Sequence, residues 1–126
     1  KDPIACRFAP ESSFTLLADT APDRRIYING ASPKGDAGIS SAEGLFAKGT
    51  SLGMRSEYDG FGFTIAWKKE ATIAVYPFHS LSKSETGMEL NYQGTSMTPI
   101  FPCNIAPGRS AKFSFNLTTE LFPPVR

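Results

Sequence analysis

The 126-residue chain contains one histidine, two cysteines and no long run of like charges or apolar residues. Each shortage removes a class of function. One His and two widely separated Cys leave no transition-metal cluster of ordinary spacing. Asp19, Asp23 and Asp36 lack the spacing of a calcium loop, so no metal or cofactor is expected. Nucleophilic catalysis needs a base held beside a nucleophile. His79 and Ser80 are neighbours in sequence only, and no G-x-S-x-G elbow is present, so no catalytic residue is assigned. The net charge is +1, and the longest basic runs are Arg24-Arg25 and Lys68-Lys69. The dense cation field that nucleic acid demands is missing. No apolar run reaches the roughly 18 residues of a membrane span, because Lys68, Lys69 and Glu70 interrupt the stretch from Phe61 to Phe78.

What the chain does have is core material and punctuation. Hydrophobic residues make up 40%, including ten Phe, four Tyr and one Trp, while eleven Gly and ten Pro mark frequent turns. The length suits a single domain over residues 1–126. Apolar residues recur with period two, which puts them on one face of a strand. Phe14 and Leu16, Ile26 and Ile28, then Met88, Leu90 and Tyr92, and finally Phe113, Phe115 and Leu117 follow this rule. Asn29-Gly30 is a strong turn dipeptide. Phe61, Phe63, Ile65 and Trp67 share a face, and Ala71, Ile73 and Val75 resume after Lys68-Lys69-Glu70. The pattern predicts a hairpin over Phe61 to Tyr76. Pro99 and Pro102 beside Ile100 and Phe101 predict an edge strand or irregular stretch. Residues 31–51 lack alternation and predict a long loop, with Ser40 or Ser41 capping a short helix through Lys48. Seven to nine strands are expected: an all-β fold, either a small antiparallel β-sandwich or a β-barrel.

Cys6 and Cys103 lie near opposite ends of this pattern. A disulfide between them would close a loop of about 100 residues, contributing roughly 4 to 5 kcal/mol in the chain-entropy model. It would place the protein in an oxidising compartment, secreted or periplasmic. A chain beginning at Lys1 with no leader fits a processed secreted protein or a truncated one. Asn116-Leu117-Thr118 is a formal glycosylation sequon on the outward side of its strand.

The order Cys6, Phe14, Ser51-Leu52-Gly53-Met54-Arg55, Trp67-Lys68, Ala71 and Cys103 resembles, at scattered positions, the periplasmic lysozyme inhibitors of Gram-negative bacteria. The resemblance implies a small β-barrel whose loop Ser51 and Arg55, with Lys68 or Lys69, enter a hydrolase cleft. Leu52 separates Ser51 from Gly53, and Ser56 stands where that family has an aromatic. Apart from the resemblance, Glu57 and Asp59 flank Tyr58 in a short polar segment that reads as a solvated turn or as paired carboxylates. The candidate partner-binding residues are therefore Ser51, Arg55, Tyr58, Asp59, Lys68 and Lys69. The expected role is non-enzymatic binding of a protein or glycan through loops on a β scaffold. Inhibition of a secreted or periplasmic hydrolase and a structural envelope or coat subunit are the alternatives.

Overall fold

Alternating apolar and polar residues need a sheet with one dry face, and the described chain supplies it. The computed structural model describes residues 1–14, 24–33 and 44–125. Its seven strands are β1 (Ile4–Phe8), β2 (Ser12–Phe14), β3 (Arg24–Ile28), β4 (Leu45–Ser56), β5 (Phe61–Ser84), β6 (Gly87–Ile105) and β7 (Asn116–Leu121). All pairings between them are antiparallel, and the spatial order runs β1-β6-β5-β4-β3, with β2 on β6 and β7 on β5. The fold is all-β and consistent with a sandwich. Phe14 of β2 stacks on Phe63 of β5 at 4.2 Å although these strands are not hydrogen-bonded neighbours, so the contact is face to face.

The core draws on the expected faces. Ile26, Leu52, Met54, Phe63, Trp67, Ile73, Val75, Met97 and Phe101 are all buried. The Asn29-Gly30 turn forms as the sequence predicts. Asn29 and Gly30 both have positive φ, 52° and 75°, and Ile28 and Ala31 exchange both backbone hydrogen bonds. That is the backbone of a tight two-residue turn, which Asn and Gly tolerate best. The Asn29 side chain then accepts the Thr50 amide at 2.8 Å, tying the turn to β4.

Several sequence expectations are corrected. Phe61 to Tyr76 is not a hairpin but part of one 24-residue strand. Both of its halves pair with β4. Gly49 opposes Ala71 and Ser51 opposes Ala66, so Thr50 faces four residues of β5, 67–70. This wide bulge lets Lys68, Lys69 and Glu70 remain in water while Trp67 stays inside. The 31–51 loop ends early, because Leu45–Ser56 is strand, and no helix continues through Lys48. Leu45 and Ala47 pack against the core while Phe46 and Lys48 face out, so the period is two and not 3.6. Ser40 and Ser41, the proposed helix caps, lie outside the described residues, as do Leu16, Asp19, Asp23 and Asp36.

Around Pro99 and Pro102, β6 is not an edge strand. It pairs with β5 on one side and with β2 and β1 on the other, and Pro99 falls in the gap between the β2 and β1 partners. Phe113 and Phe115 precede the last strand, which begins at Asn116, yet both pack against the core. The predicted disulfide is not formed. Cys6 and Cys103 oppose one another across β1 and β6, but both are free thiols. The Cys103 thiol instead donates to the Phe101 carbonyl at 3.5 Å. The inference of an oxidising compartment loses its support with the bond. No helix is long and apolar enough to cross a membrane among the described residues.

Candidate functional site

The six candidate residues do not converge on one site. Ser51 sits inside β4, opposite Ala66, and not on a loop. Arg55, Tyr58 and Asp59 gather at the β4–β5 turn. There Ser56 Oγ donates to Asp59 Oδ2 at 2.8 Å, and the Asp59 amide donates back to Ser56 Oγ at 3.3 Å. Arg24 Nη2 reaches the same carboxylate at 3.4 Å. The Ser56 hydrogen bond, aided by the Arg24 charge, holds the Asp59 carboxyl below the ordinary range against the opposing effect of desolvation. Arg24 is buried, and among the described residues its Nε and Nη1 have no hydrogen-bond partner.

Arg55 is similarly committed. Its Nε lies 3.0 Å from Glu57 Oε1, and its guanidinium covers the Phe122 ring at 3.9 Å. The carboxy-terminal stretch closes over this turn, because Phe122 N–H donates to the Gly60 carbonyl and Val125 N–H to the Glu57 carbonyl, both at 2.9 Å. Glu57 and Asp59 are thus both held by arginine, an arrangement that fixes a turn and offers no free acid–base pair. Tyr58 remains exposed on the turn.

Lys68 and Lys69 belong to a different place, a pocket of about 240 Å³. The bulge brings them to its mouth. Its wall is Trp67, Phe101, Phe113 and Phe115, and Lys112 joins the two lysines at the rim. The aromatic wall is braced ring on ring. Trp67 meets Phe101 edge to face at 5.9 Å, and Phe113 lies 5.0 Å from Phe101 and 4.6 Å from Phe8. The Trp67 indole N–H donates to the Gly49 carbonyl at 3.2 Å, which satisfies the one polar atom of a buried ring. No carboxylate lines this pocket, so three ammonium groups give it a local positive field suited to holding an anionic or polar group and not to proton transfer. The sequence showed two of its lysines. Lys112, Phe113 and Phe115 were missed because they lie more than 40 residues further along the chain, and their alternation alone read as another strand.

His79 has an edge-to-face ring contact with Tyr92 at 5.8 Å, its neighbour across the strands. No group of three His, Cys, Asp or Glu side chains able to hold a metal occurs among the described residues.

The fold has a solved counterpart. The chain superposes on the crystal structure of the 4-alpha-glucanotransferase from Thermococcus litoralis with a TM-score of 0.57 at 16% identity. The match covers 97% of this chain and 15% of that one, so this chain spans a small part of the enzyme's length. At that identity the likeness establishes the fold alone. No curated protein gives a significant match. A family model described as Alpha-amylase/4-alpha-glucanotransferase, C-terminal, matches residues 1–115. This overturns the expectation of a secreted or periplasmic binding domain, a lysozyme-inhibitor-like protein or a coat subunit. The structure agrees: Ser51 lies in a strand and Arg55 is held by Glu57 and Phe122, so they form no insertion loop. With all but its last eleven residues matched, the chain belongs to the Alpha-amylase/4-alpha-glucanotransferase C-terminal family.

Proposed function

We propose that this chain is the non-catalytic carboxy-terminal β-module of an enzyme that hydrolyses or transfers α-linked glucan. The family match over residues 1–115 carries this reading. The site chemistry supports it: the turn carboxylates are held by arginine, and the lysine-rimmed pocket has no acid in its wall. A β-module of this kind contributes by packing against the part of the enzyme that holds the reacting groups, fixing its geometry and its stability. The test is an assay of maltooligosaccharide hydrolysis and disproportionation on two samples. The 126-residue chain alone should be inactive, and the polypeptide that carries it should be active and lose thermal stability when the module is removed. Turnover by the chain alone, or an inactive full polypeptide, would overturn the proposal.

A further inference from the structure

Past Phe78, no further strand flanks β5 and β6 among the described residues. β4 pairs with β5 only as far as Val75, and β2 pairs with β6 only from Thr95 onward. A bulge between Phe78 and His79 leaves Gln93 without an opposite residue. Beyond it, among the described residues, β5 and β6 pair only with one another, as a two-stranded arm out to the turn at Glu85-Thr86. The arm has two unlike faces. Ser80, Ser82, Asn91 and Gln93 share one, and they bond among themselves: Asn91 Nδ2 donates to Ser82 Oγ at 2.6 Å and Gln93 Nε2 to Ser80 Oγ at 3.0 Å. The other face carries Leu81 directly opposite Leu90 and Lys83 opposite Met88, with His79 opposite Tyr92 nearer the sandwich. Leu81, Met88 and Leu90 are 61%, 62% and 72% exposed.

An isolated two-stranded ribbon is marginal in water, and contiguous exposed apolar side chains mark a contact surface. We infer that this apolar face of the arm docks on an apolar surface of the preceding, glucan-acting part of the same polypeptide. The inference rests on the function proposed above, since the family is that of carboxy-terminal parts and the chain matches only 15% of the solved glucanotransferase. Size favours this occupant over a second copy. Three apolar side chains offer at most a few hundred Å², well short of the roughly 800 Å² per partner of a stable dimer. A tethered neighbour needs less, because the linker raises its effective concentration to the millimolar range.

Hydrogen exchange of the amides of residues 79–92 tests the docking, compared between the 126-residue chain and the full polypeptide. The paired change Leu81→Lys with Leu90→Glu removes the apolar face while placing opposite charges across the strands, which preserves the ribbon. Ser80→Lys with Asn91→Glu, a directly opposed pair on the polar face, does the same there and serves as the control. The expected result is protection at least tenfold greater in the full polypeptide, lost in the first double variant and kept in the second. Equal protection in both proteins, or equal effects of the two double variants, would overturn the docking. So would protection in the isolated chain that rises with its concentration, which would assign the face to a second copy. A full polypeptide inactive on α-glucans with the arm still protected would refute the enzyme reading separately.

Discussion

Phe101 is the ring on which the aromatic wall depends, and truncating it has a calculable cost. The side chain is 1% exposed and sits on β6 between Trp67, Phe113, Phe115 and Phe8, with centroid separations of 5.9, 5.0, 5.9 and 6.5 Å. Phe→Ala in a core costs about 3 to 5 kcal/mol, the sum of lost transfer energy and the cavity that remains. Each aromatic pair adds roughly 0.5 to 1.5 kcal/mol beyond area burial. Sheet hydrogen bonds hold the backbone on both sides, since β6 pairs with β1 at Phe101 and with β5 at Ile100, so the site cannot collapse readily. The upper half of the range is therefore expected for Phe101→Ala, about 4 kcal/mol, which at this size lowers the melting temperature by about 10 to 15 °C. Urea denaturation followed by the emission of Trp67, the sole tryptophan, measures it directly. Phe46→Ala is the control, since Phe46 faces solvent, and it should change stability by less than about 0.5 kcal/mol. A loss below about 1 kcal/mol for Phe101→Ala would refute the idea that this cluster organises the core.

The remaining predictions concern the turn and the thiols. Gly60 has φ of 66°, and a Cβ there would lie 2.3 Å from the Phe122 carbonyl oxygen. Gly60→Ala should cost more than about 1 kcal/mol in denaturant unfolding and release the carboxy-terminal stretch to proteases; an unaltered midpoint would show that this closure contributes nothing. Because the Asp59 pKa is lowered in the folded state, its contribution is fully present above about pH 4, its unfolded value, and is lost as pH falls through the folded value. Wild-type protein and Asp59→Asn should therefore converge in stability below about pH 4, and a gap constant with pH would refute the assignment. In the absence of reductant, a thiol titration should find two reactive groups, with exposed Cys6 faster than half-buried Cys103; finding none would show a disulfide after all.

Much of the fold was legible because local chemistry and tertiary position agreed. Asn29-Gly30 makes the turn its positive φ values require, and Ile26, Ile28, Phe63 and Trp67 face inward as their alternation predicts. The hairpin reading failed at Lys68-Lys69-Glu70 because a bulge and a turn demand the same thing of a sequence, a short solvated interruption between apolar runs. Only the partner strand distinguishes them, and β4 pairs with both halves. The pocket was hidden for a related reason. Its wall joins residues of β5, β6 and the segment before β7, and no local pattern records that meeting. The contact residues assigned from scattered resemblance lie apart in the fold, because spacing along the chain does not fix which side chains meet. Arg55 is held in place by Glu57 and Phe122, both of which the sequence displayed without showing that they touch it.

The 31–51 misreading reveals how the long strands are built. On β4 the inward residues are first Leu45 and Ala47 and later Leu52 and Met54, a switch from odd to even positions across Thr50. A strand keeps one parity unless something breaks the pleat, so a sequence that changes parity looks like one with no period. On β5 the inward residues stay odd throughout, from Phe63 and Trp67 to Ile73 and Val75. Two strands in register cannot do both unless one carries an odd number of extra residues between the matched pairs. Between the Ser51–Ala66 and Gly49–Ala71 pairs, β5 has four intervening residues against one on β4, an excess of three. The bulge is thus the necessary consequence of two apolar patterns that do not share a period. Its exposed residues had to be polar, and that requirement placed Lys68 and Lys69 at the mouth of the aromatic pocket. The cationic rim and the failed alternation of β4 have the same structural cause.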